Sequence, residues 1–379
     1  MTIHDFDDIR PFLPEELPEV YERLLANPEF QGVLEYLAKA FPLSADLPQI
    51  MKSCKTNLDF QIRLAYPMLK MLLAKASDGM TADFHDINAE RDLSHTFVSN
   101  HRDIVLDSAF LSVALHDEGL NTVEIAIGDN LLIRPWIRDI VRINKSFIVQ
   151  RALTMRQMLL ASAKMSKYMH FCISTKHENI WIAQREGRAK DSNDRTQESV
   201  LKMMSMGGDL RELNIVPLCI SYEYDPCDYL KAQEFQNKRD IEGFKKSPQD
   251  DLENMRIGIF GPKGRIHYQA APCINDWLDS LPSDLPKADY YKLVAQHMDH
   301  EIHRSYKLYP GNYVAADLLH ESSDYACHYT AADKATFEAY IQSKLSMVTL
   351  ANPDFPFLRE RMLTMYANPV FNYEKAITL

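Results

Sequence analysis

The chain has 379 residues, of which 46% are hydrophobic and 25% are charged, and this composition is typical of a globular protein with room for two domains. No apolar run reaches the roughly eighteen residues that a membrane-spanning helix needs, and the acidic first eight residues do not resemble a secretory signal. The six cysteines lack C-x-x-C spacing, which favours a reduced cytoplasmic setting over disulfides or a zinc site.

The formal net charge of −11 argues against nucleic acid as the main partner. The charge is unevenly distributed, because residues 128–200 carry thirteen Lys and Arg against seven Asp and Glu. A basic segment inside an acidic chain suggests an anionic ligand held there. Solvated helix faces would explain the same numbers equally well.

The N-terminal region, from about residue 12 to 80, predicts helices at 14–25, 30–41 and 58–76. In the third helix, the apolar residues between 62 and 76 fall on one face, with basic residues off that face. This face predicts either the core of an N-terminal helical domain or a basic amphipathic surface that rests on a membrane. We place the boundary of this helical domain at residues 1–82, with the second domain at 83–379.

From residue 93 onward, strands alternate with helices. The predicted strands lie at about 94–99, 123–127, 146–149, 179–183 and 215–222, and helices are predicted at about 103–117, 130–142, 152–168 and 196–206. This alternation predicts an α/β domain with a mostly parallel, mixed sheet flanked by helices. Residues 225–255 look like a polar excursion, 258–268 like a hairpin, and 284–379 like a helical C-terminal region.

The stretch at residues 94–107 predicts a buried strand that delivers His101 to the start of a helix. Ligands bind at such strand ends in open α/β sheets, and histidine ordinarily titrates near neutrality, so His101 is a candidate general base. Asp103 or Asp107 could orient its ring. The alternative is that His101 is structural, Asp103 caps the helix and Asp107 is a first-turn acid.

A second informative stretch follows the 179–183 strand and contains Arg185, Glu186, Gly187, Arg188 and Lys190. The glycine permits close approach of the backbone, and the basic side chains could hold a phosphate. Turns with basic residues are common and need not bind an anion. If this turn lies beside His101 on the same sheet edge, the sequence predicts one site that contains both a general base and an anion-binding group. The His-rich run at 297–303 lacks the second histidine of a His-Glu-x-x-His metal motif and predicts a solvated helix face.

These segments, in this order, resemble the four sequence blocks of the glycerolipid acyltransferases, the superfamily of glycerol-3-phosphate and 1-acylglycerol-3-phosphate acyltransferases. The first block corresponds to residues 100–107, the second to 128–151, the third to 180–190 and the fourth to 216–223. The third block also resembles the Gly-Arg-x-Arg segment of the plastid-type enzymes, with Lys190 in the last place. The resemblance covers roughly residues 90–225.

The resemblance implies a glycerol-3-phosphate acyltransferase-like fold in which His101 is the catalytic base and Asp107 orients it. Arg188, Lys190 and Arg151 would bind the acceptor phosphate, within the block that also contains Glu186 and Gly187. The implied donor is acyl-CoA or acyl carrier protein, and the acceptor is glycerol 3-phosphate or a lysophospholipid, in phospholipid biosynthesis. No metal or cofactor is implied, and the enzyme would work in the cytoplasm, peripherally on the inner face of the membrane.

The chain departs from the family pattern in two places. The usual spacing puts the aspartate where Leu106 stands, so Asp107 fits if the turn has one extra residue, with Asp103 as the alternative. The residue usual between Gly187 and Arg188 is missing, so the phosphate ligands need to be identified individually. Two other functions stay open: a thioester or lipid hydrolase that uses the same histidine, and an O- or N-acyltransferase that acts on another membrane lipid. A lipid-binding protein with an inactive site is a third.

Overall fold

A computed structural model describes residues 1–40, 46–90, 92–151 and 154–378. The described residues contain seven strands that form one sheet. The strands are β1 (Met80–Asp83), β2 (Thr96–Ser99), β3 (Val123–Gly128), β4 (Ser146–Val149), β5 (Asn179–Ala183), β6 (Ile215–Tyr222) and β7 (Ile266–Ala270). The predicted α/β class with a mostly parallel, mixed sheet flanked by helices is confirmed.

The order of strands across the sheet is β1-β7-β6-β2-β5-β3-β4. The five strands from β6 to β4 run parallel, whereas β7 pairs antiparallel with β6 and parallel with β1. Strand β2 lies between β5 and β6, with Ser99 opposite Ala183 and Leu218. The segment after β2, which begins at Asn100, therefore leaves the middle of the sheet at its carboxyl edge, where ligands bind in such sheets.

Successive strand residues point to opposite faces of the sheet, and both faces carry apolar side chains that are buried by helices. Phe97 packs in one core with residues of the helices before and after β2, and Val98 packs in another core on the opposite face. The helices as far as β6 are α1 (Leu17–Leu25), α2 (Pro28–Ala40), α3 (Leu47–Ser53), α4 (Asn57–Phe60), α5 (Tyr66–Ala76), α6 (Leu106–Asp117), α7 (Pro135–Ile143), α8 (Met155–Phe171) and α9 (Glu198–Met204).

The C-terminal region is mainly helical. Helices at both of its ends pack around a core of their own beside the sheet, whereas the helices within residues 275–304 pack against the sheet in the core that holds Val98. Its helices are α10 (Asp228–Asp240), α11 (Pro248–Phe260), α12 (Asn275–Asp279), α13 (Lys287–Arg304), α14 (Pro310–His320), α15 (Ala331–Leu345) and α16 (Phe355–Ile377). Short π-helical segments lie at Gln61–Ala65 and Cys172–Lys176, and 3-10 turns lie at Ile3–Phe6, Pro14–Glu16, His85–Glu90, Asp129–Leu131, Leu210–Leu213 and Ala326–His328.

The predicted helix at 58–76 is continuous from α4 through the π-helical segment into α5. Leu72, Leu73 and Ala76 on its apolar face are buried in the core that also holds Phe97 and Phe110, so this half of the face is a packing surface. The predicted domain boundary at 82/83 falls inside β1, which joins the sheet. The predicted helix ends at residue 41 and at the start of 152–168 fall outside the described residues.

Four sequence expectations are wrong. Residues 258–268 form the end of α11 and a sheet strand instead of a hairpin, because Ile266, Tyr268 and Ala270 fill the core beside β6. Residues 225–255 fold into α10 and most of α11, and α10 is largely buried in spite of its polarity. The helix after β2 begins at Leu106 rather than 103. Glu301 and His303 of the 297–303 run are buried, so that run is no solvated face.

Within the described residues, no helix is both long enough and apolar enough to cross a membrane.

Candidate active site

The carboxyl ends of the five parallel strands bring the four blocks of the sequence analysis to one edge of the sheet. His101 follows β2, the segment with Arg188 and Lys190 follows β5, and Arg151 follows β4. Because β2 and β5 are adjacent and in register, the first and third blocks are neighbours. Blocks that lie about eighty residues apart in sequence therefore meet at one site.

His101 and Asp107 form the central pair of this site. The Nδ1 atom of His101 lies 2.8 Å from Oδ2 of Asp107, and Asp107 is completely buried whereas the histidine side chain is 14% exposed. Among the described residues, this is the only hydrogen bond to the His101 ring. The carboxylate therefore holds the ring with a proton on Nδ1, which leaves Nε2 able to accept a proton from a substrate.

The two candidate aspartates have different roles. Oδ1 of Asp103 accepts hydrogen bonds from the backbone N–H groups of Val105 and Leu106, both 2.8 Å long, so Asp103 caps α6. Asp107 instead accepts from His101 and from the backbone N–H groups of Arg102 and Asp103, which fixes the turn around the histidine. Asp107, and not Leu106, therefore lies beside the ring.

The position of the histidine turn is fixed by its neighbours in sequence. The Asn100 side chain accepts a hydrogen bond from the Ile220 N–H at 2.8 Å and donates to the Ile220 carbonyl at 3.0 Å, which extends the pairing with β6 beyond the end of β2. Arg102 donates to Asp194 at 2.7 Å, and both side chains are buried. Tyr306, which follows α13, also donates to Asp194 at 2.7 Å, so the segments after α13 and after β5 are linked to the same turn.

Aromatic side chains line the site next to the His101 ring. Trp181 lies edge-to-face with this ring, at 5.9 Å between centroids, and its indole N–H donates to Ser99 at 3.0 Å. The Tyr222 hydroxyl lies 3.4 Å from Oδ1 of Asp107. Burial, together with the neighbouring Tyr268 and Asp107, raises the pKa of Tyr222 well above its usual value, so this phenol stays protonated. The rings exclude water from the inner side of the pair.

The residues predicted for phosphate binding occupy two positions. Arg151 forms an ion pair with Glu186 at 3.1 Å, and both side chains are substantially exposed. Its backbone N–H donates to Asp129, and a Cβ at Gly128 would collide with its side chain, so the arginine crosses the strand end closely. Gly187 has a φ of +68°, a backbone conformation that favours glycine and sharply turns the chain between Glu186 and the next basic residue.

Arg188 and Lys190 face α10 and α11, the helices formed by the polar segment that begins at residue 225. Arg188 donates to the side-chain oxygen of Asn254 on α11 at 3.3 Å, and no carboxylate of the described residues lies within ion-pair distance of its guanidinium. Lys190 forms an ion pair with Glu234 of α10. Glu234 also lies 2.9 Å from the Lys238 ammonium group.

Lys190 is half-buried among other cations. Burial is the main cause that lowers the pKa of this ammonium group to about 7, and Lys238, Lys246 and Arg188 lower it further. Glu234 shares its single carboxylate among several ammonium groups, so its negative charge does not restore the pKa of Lys190. A dianionic ligand would supply the missing negative charge.

Three contributors to this part of the site, Glu234, Lys238 and Asn254, were missed because the sequence of 225–255 is polar with no strong periodicity. Two signals could have suggested helices there: Glu234 and Lys238 lie one helical turn apart, and Ser247 and Asp250 form a capping box with Pro248 at the first helical position. Among the described residues, no group of three or more His, Cys, Asp or Glu side chains could hold a metal ion. The buried thiols of Cys219 and Cys227 have pKa values raised by burial to about 12, so they are packing residues.

Comparison with known proteins adds no family to this geometry. No protein-family model matches the chain, and a search of curated proteins finds no match either.

Proposed function

We propose that this chain is an acyltransferase that moves a fatty acyl group from a thioester to the hydroxyl of a phosphorylated glycerol acceptor. The observation that carries the proposal is the His101–Asp107 pair at 2.8 Å, beside the cations Arg188 and Lys190 on the same sheet edge. A base next to an anion site suits an acceptor that has both a hydroxyl and a phosphate.

In the proposed reaction, Nε2 of His101 takes the proton of the acceptor hydroxyl while that oxygen attacks the thioester carbonyl carbon. The C–S bond breaks, the ester forms, and the imidazolium returns the proton to the departing thiolate. The buried carboxylate of Asp107 stabilises the imidazolium between these steps. Among the described residues, no Ser, Thr or Cys side chain is hydrogen-bonded to the ring, which favours direct attack by the acceptor over a covalent enzyme intermediate.

The donor in this proposal is acyl-CoA or acyl carrier protein, and the acceptor is glycerol 3-phosphate or a lysophospholipid such as 1-acylglycerol 3-phosphate. The acceptor phosphate binds at Arg188 and Lys190, with Arg151 and Glu186 at the rim. Remote binding of the phosphate orients the hydroxyl, so loss of these contacts lowers kcat as well as raising KM. The product would enter phospholipid biosynthesis.

A lipid acceptor requires contact with a membrane, and we propose that the first two turns of α8 make it from the cytoplasmic side. Residues 154–160 are all exposed, and they include Met155, Met158, Leu159 and Leu160, with exposures of 50–82%. This apolar helix tip follows β4 and so lies at the same sheet edge as His101. Arg156 within it suits an anionic lipid surface.

The test is thiol release from palmitoyl-CoA and from palmitoyl acyl carrier protein, with and without glycerol 3-phosphate or its 1-acyl form. The control is His101→Ala, with its fold verified by circular dichroism. We expect release that depends on an acceptor and falls about 100-fold or more in the variant. Release without acceptor would instead establish a hydrolase, and activity that is retained in His101→Ala would contradict the assigned base.

A further inference from the structure

The cations beside the proposed site extend well beyond the segment after β5. Glu234 is 6% exposed, and its carboxylate lies against Lys190, 2.9 Å from Lys238 and 3.8 Å from Lys246. Lys238 comes from α10, and Lys246 from the loop between α10 and α11. Three ammonium groups from separate segments therefore surround one nearly buried carboxylate.

The basic side chains of this group outnumber the carboxylates that pair with them. Lys246 also lies 3.0 Å from Asp251, which is its second acidic partner. Arg188, which forms no ion pair with a carboxylate of the described residues, adds a fourth basic side chain to this group. The nearby Asp225 carboxylate pairs with the buried Lys231 and also interacts electrostatically with Arg188. An excess of positive charge of this kind favours a phosphomonoester ligand, which is a dianion when it is fully ionised.

We infer that Lys238 and Lys246 are phosphate-binding residues of the same site, and that Glu234 is a positioning residue that holds the ammonium groups together. The ligand class is a phosphomonoester dianion, the acceptor phosphate, so the inference deepens the proposed function and rests on it. The segment at 225–255 then forms part of the phosphate-binding side of the site. Arg188 and Asn254 join this part to the segment after β5.

A structural ion-pair network is the competing explanation, and Lys202 provides a matched control. Lys202 pairs with Glu198 at 2.8 Å, four residues earlier on a helix, and its side chain is 49% exposed. Lys238 pairs with Glu234 in the same i,i+4 arrangement at 2.9 Å and is 51% exposed. The two lysines therefore differ mainly in their surroundings.

The experiment is isothermal titration calorimetry of the full chain with inorganic phosphate, glycerol 3-phosphate and a short-chain 1-acylglycerol 3-phosphate. Lys238→Met and Lys246→Met should each weaken binding of all three ligands about tenfold, because each removes one charge-assisted contact. Lys202→Met should bind as wild type does.

Two results would overturn the inference. One is phosphate affinity unchanged in both Lys238→Met and Lys246→Met while their melting temperatures fall, which would make the cluster structural. The other is loss of binding for CoA alone, with glycerol 3-phosphate unaffected, which would assign the lysines to the donor. If phosphate binds as expected but no acyl transfer is detected with any donor, the site stands and the proposed reaction fails.

Discussion

Arg102 and Asp194 form a buried ion pair, 2.7 Å between Nη2 and Oδ2, that joins the histidine turn to the segment after β5. Asp194 is completely buried, and its Oδ1 atom has no hydrogen-bond partner among the described residues. The carboxylate thus uses one oxygen for three donors, from Asn100, Arg102 and Tyr306. Besides the pairing of β2 with β5, this ion pair therefore helps to fix the relative position of the residues proposed for base and anion binding.

Asp194→Asn should lower the free energy of unfolding by roughly 3–5 kcal/mol, because it leaves the Arg102 charge buried without a counter-ion. Chemical denaturation at pH 7 would measure this loss. Asp279→Asn is the control, since Asp279 pairs with Arg211 at the same 2.7 Å but is 68% exposed. That change should cost at most about 1 kcal/mol. Equal losses in the two variants would contradict the importance of the buried pair.

Asp107→Asn should reduce kcat about 10²–10⁴-fold, because an amide does not stabilise the His101 imidazolium and can favour the wrong tautomer. Asp103→Asn should retain most of the activity, because asparagine caps helices as well as aspartate does. Steady-state acyl transfer by the two variants would be compared with that of wild type. A larger loss in Asp103→Asn would assign the catalytic carboxylate to Asp103 instead.

The affinity for glycerol 3-phosphate should fall between pH 7 and 9. The pKa of Lys190 is lowered to about 7, so this ammonium group deprotonates over that range, and an anion binds the protonated form better. The phosphate itself is already almost fully ionised there and does not offset the loss. Calorimetric titration at several pH values would measure the effect, and Lys190→Met should flatten it. An affinity that rises with pH would exclude Lys190 from the site.

The double variant Leu159→Glu/Leu160→Glu should lose most of its flotation with vesicles that contain anionic lipid. Each glutamate removes an exposed apolar side chain and adds repulsion, so binding should weaken at least about tenfold. Met347→Glu changes a comparably exposed apolar side chain, 46% against 58–65%, in the C-terminal region and should float like wild type. Acyl transfer to water-soluble glycerol 3-phosphate should continue in both. Unchanged flotation of the double variant would contradict the assignment of the membrane contact to the first two turns of α8.

Much of the fold follows from local patterns that the sequence displays. Strands β4, β5 and β6 begin and end at the predicted residues because each is a short apolar run bounded by polar or turn residues. The end of α6 was signalled by Gly119, which adopts a φ of +70°. Where the local pattern is weak, prediction failed. Strand β1 is only four residues long, and it is a strand because β7 pairs with it.

The sequence by itself determined the class of the fold, the position of His101 after a buried strand, and the presence of basic residues after a neighbouring strand. These features are local, because they depend on hydrophobic periodicity and on turn-forming residues. Only the tertiary structure decided between Asp107 and Asp103, since both are near in sequence and the course of the turn selects the partner. It also brought Glu234, Lys238 and Lys246 to the site, because no local pattern encodes contacts between segments forty or more residues apart.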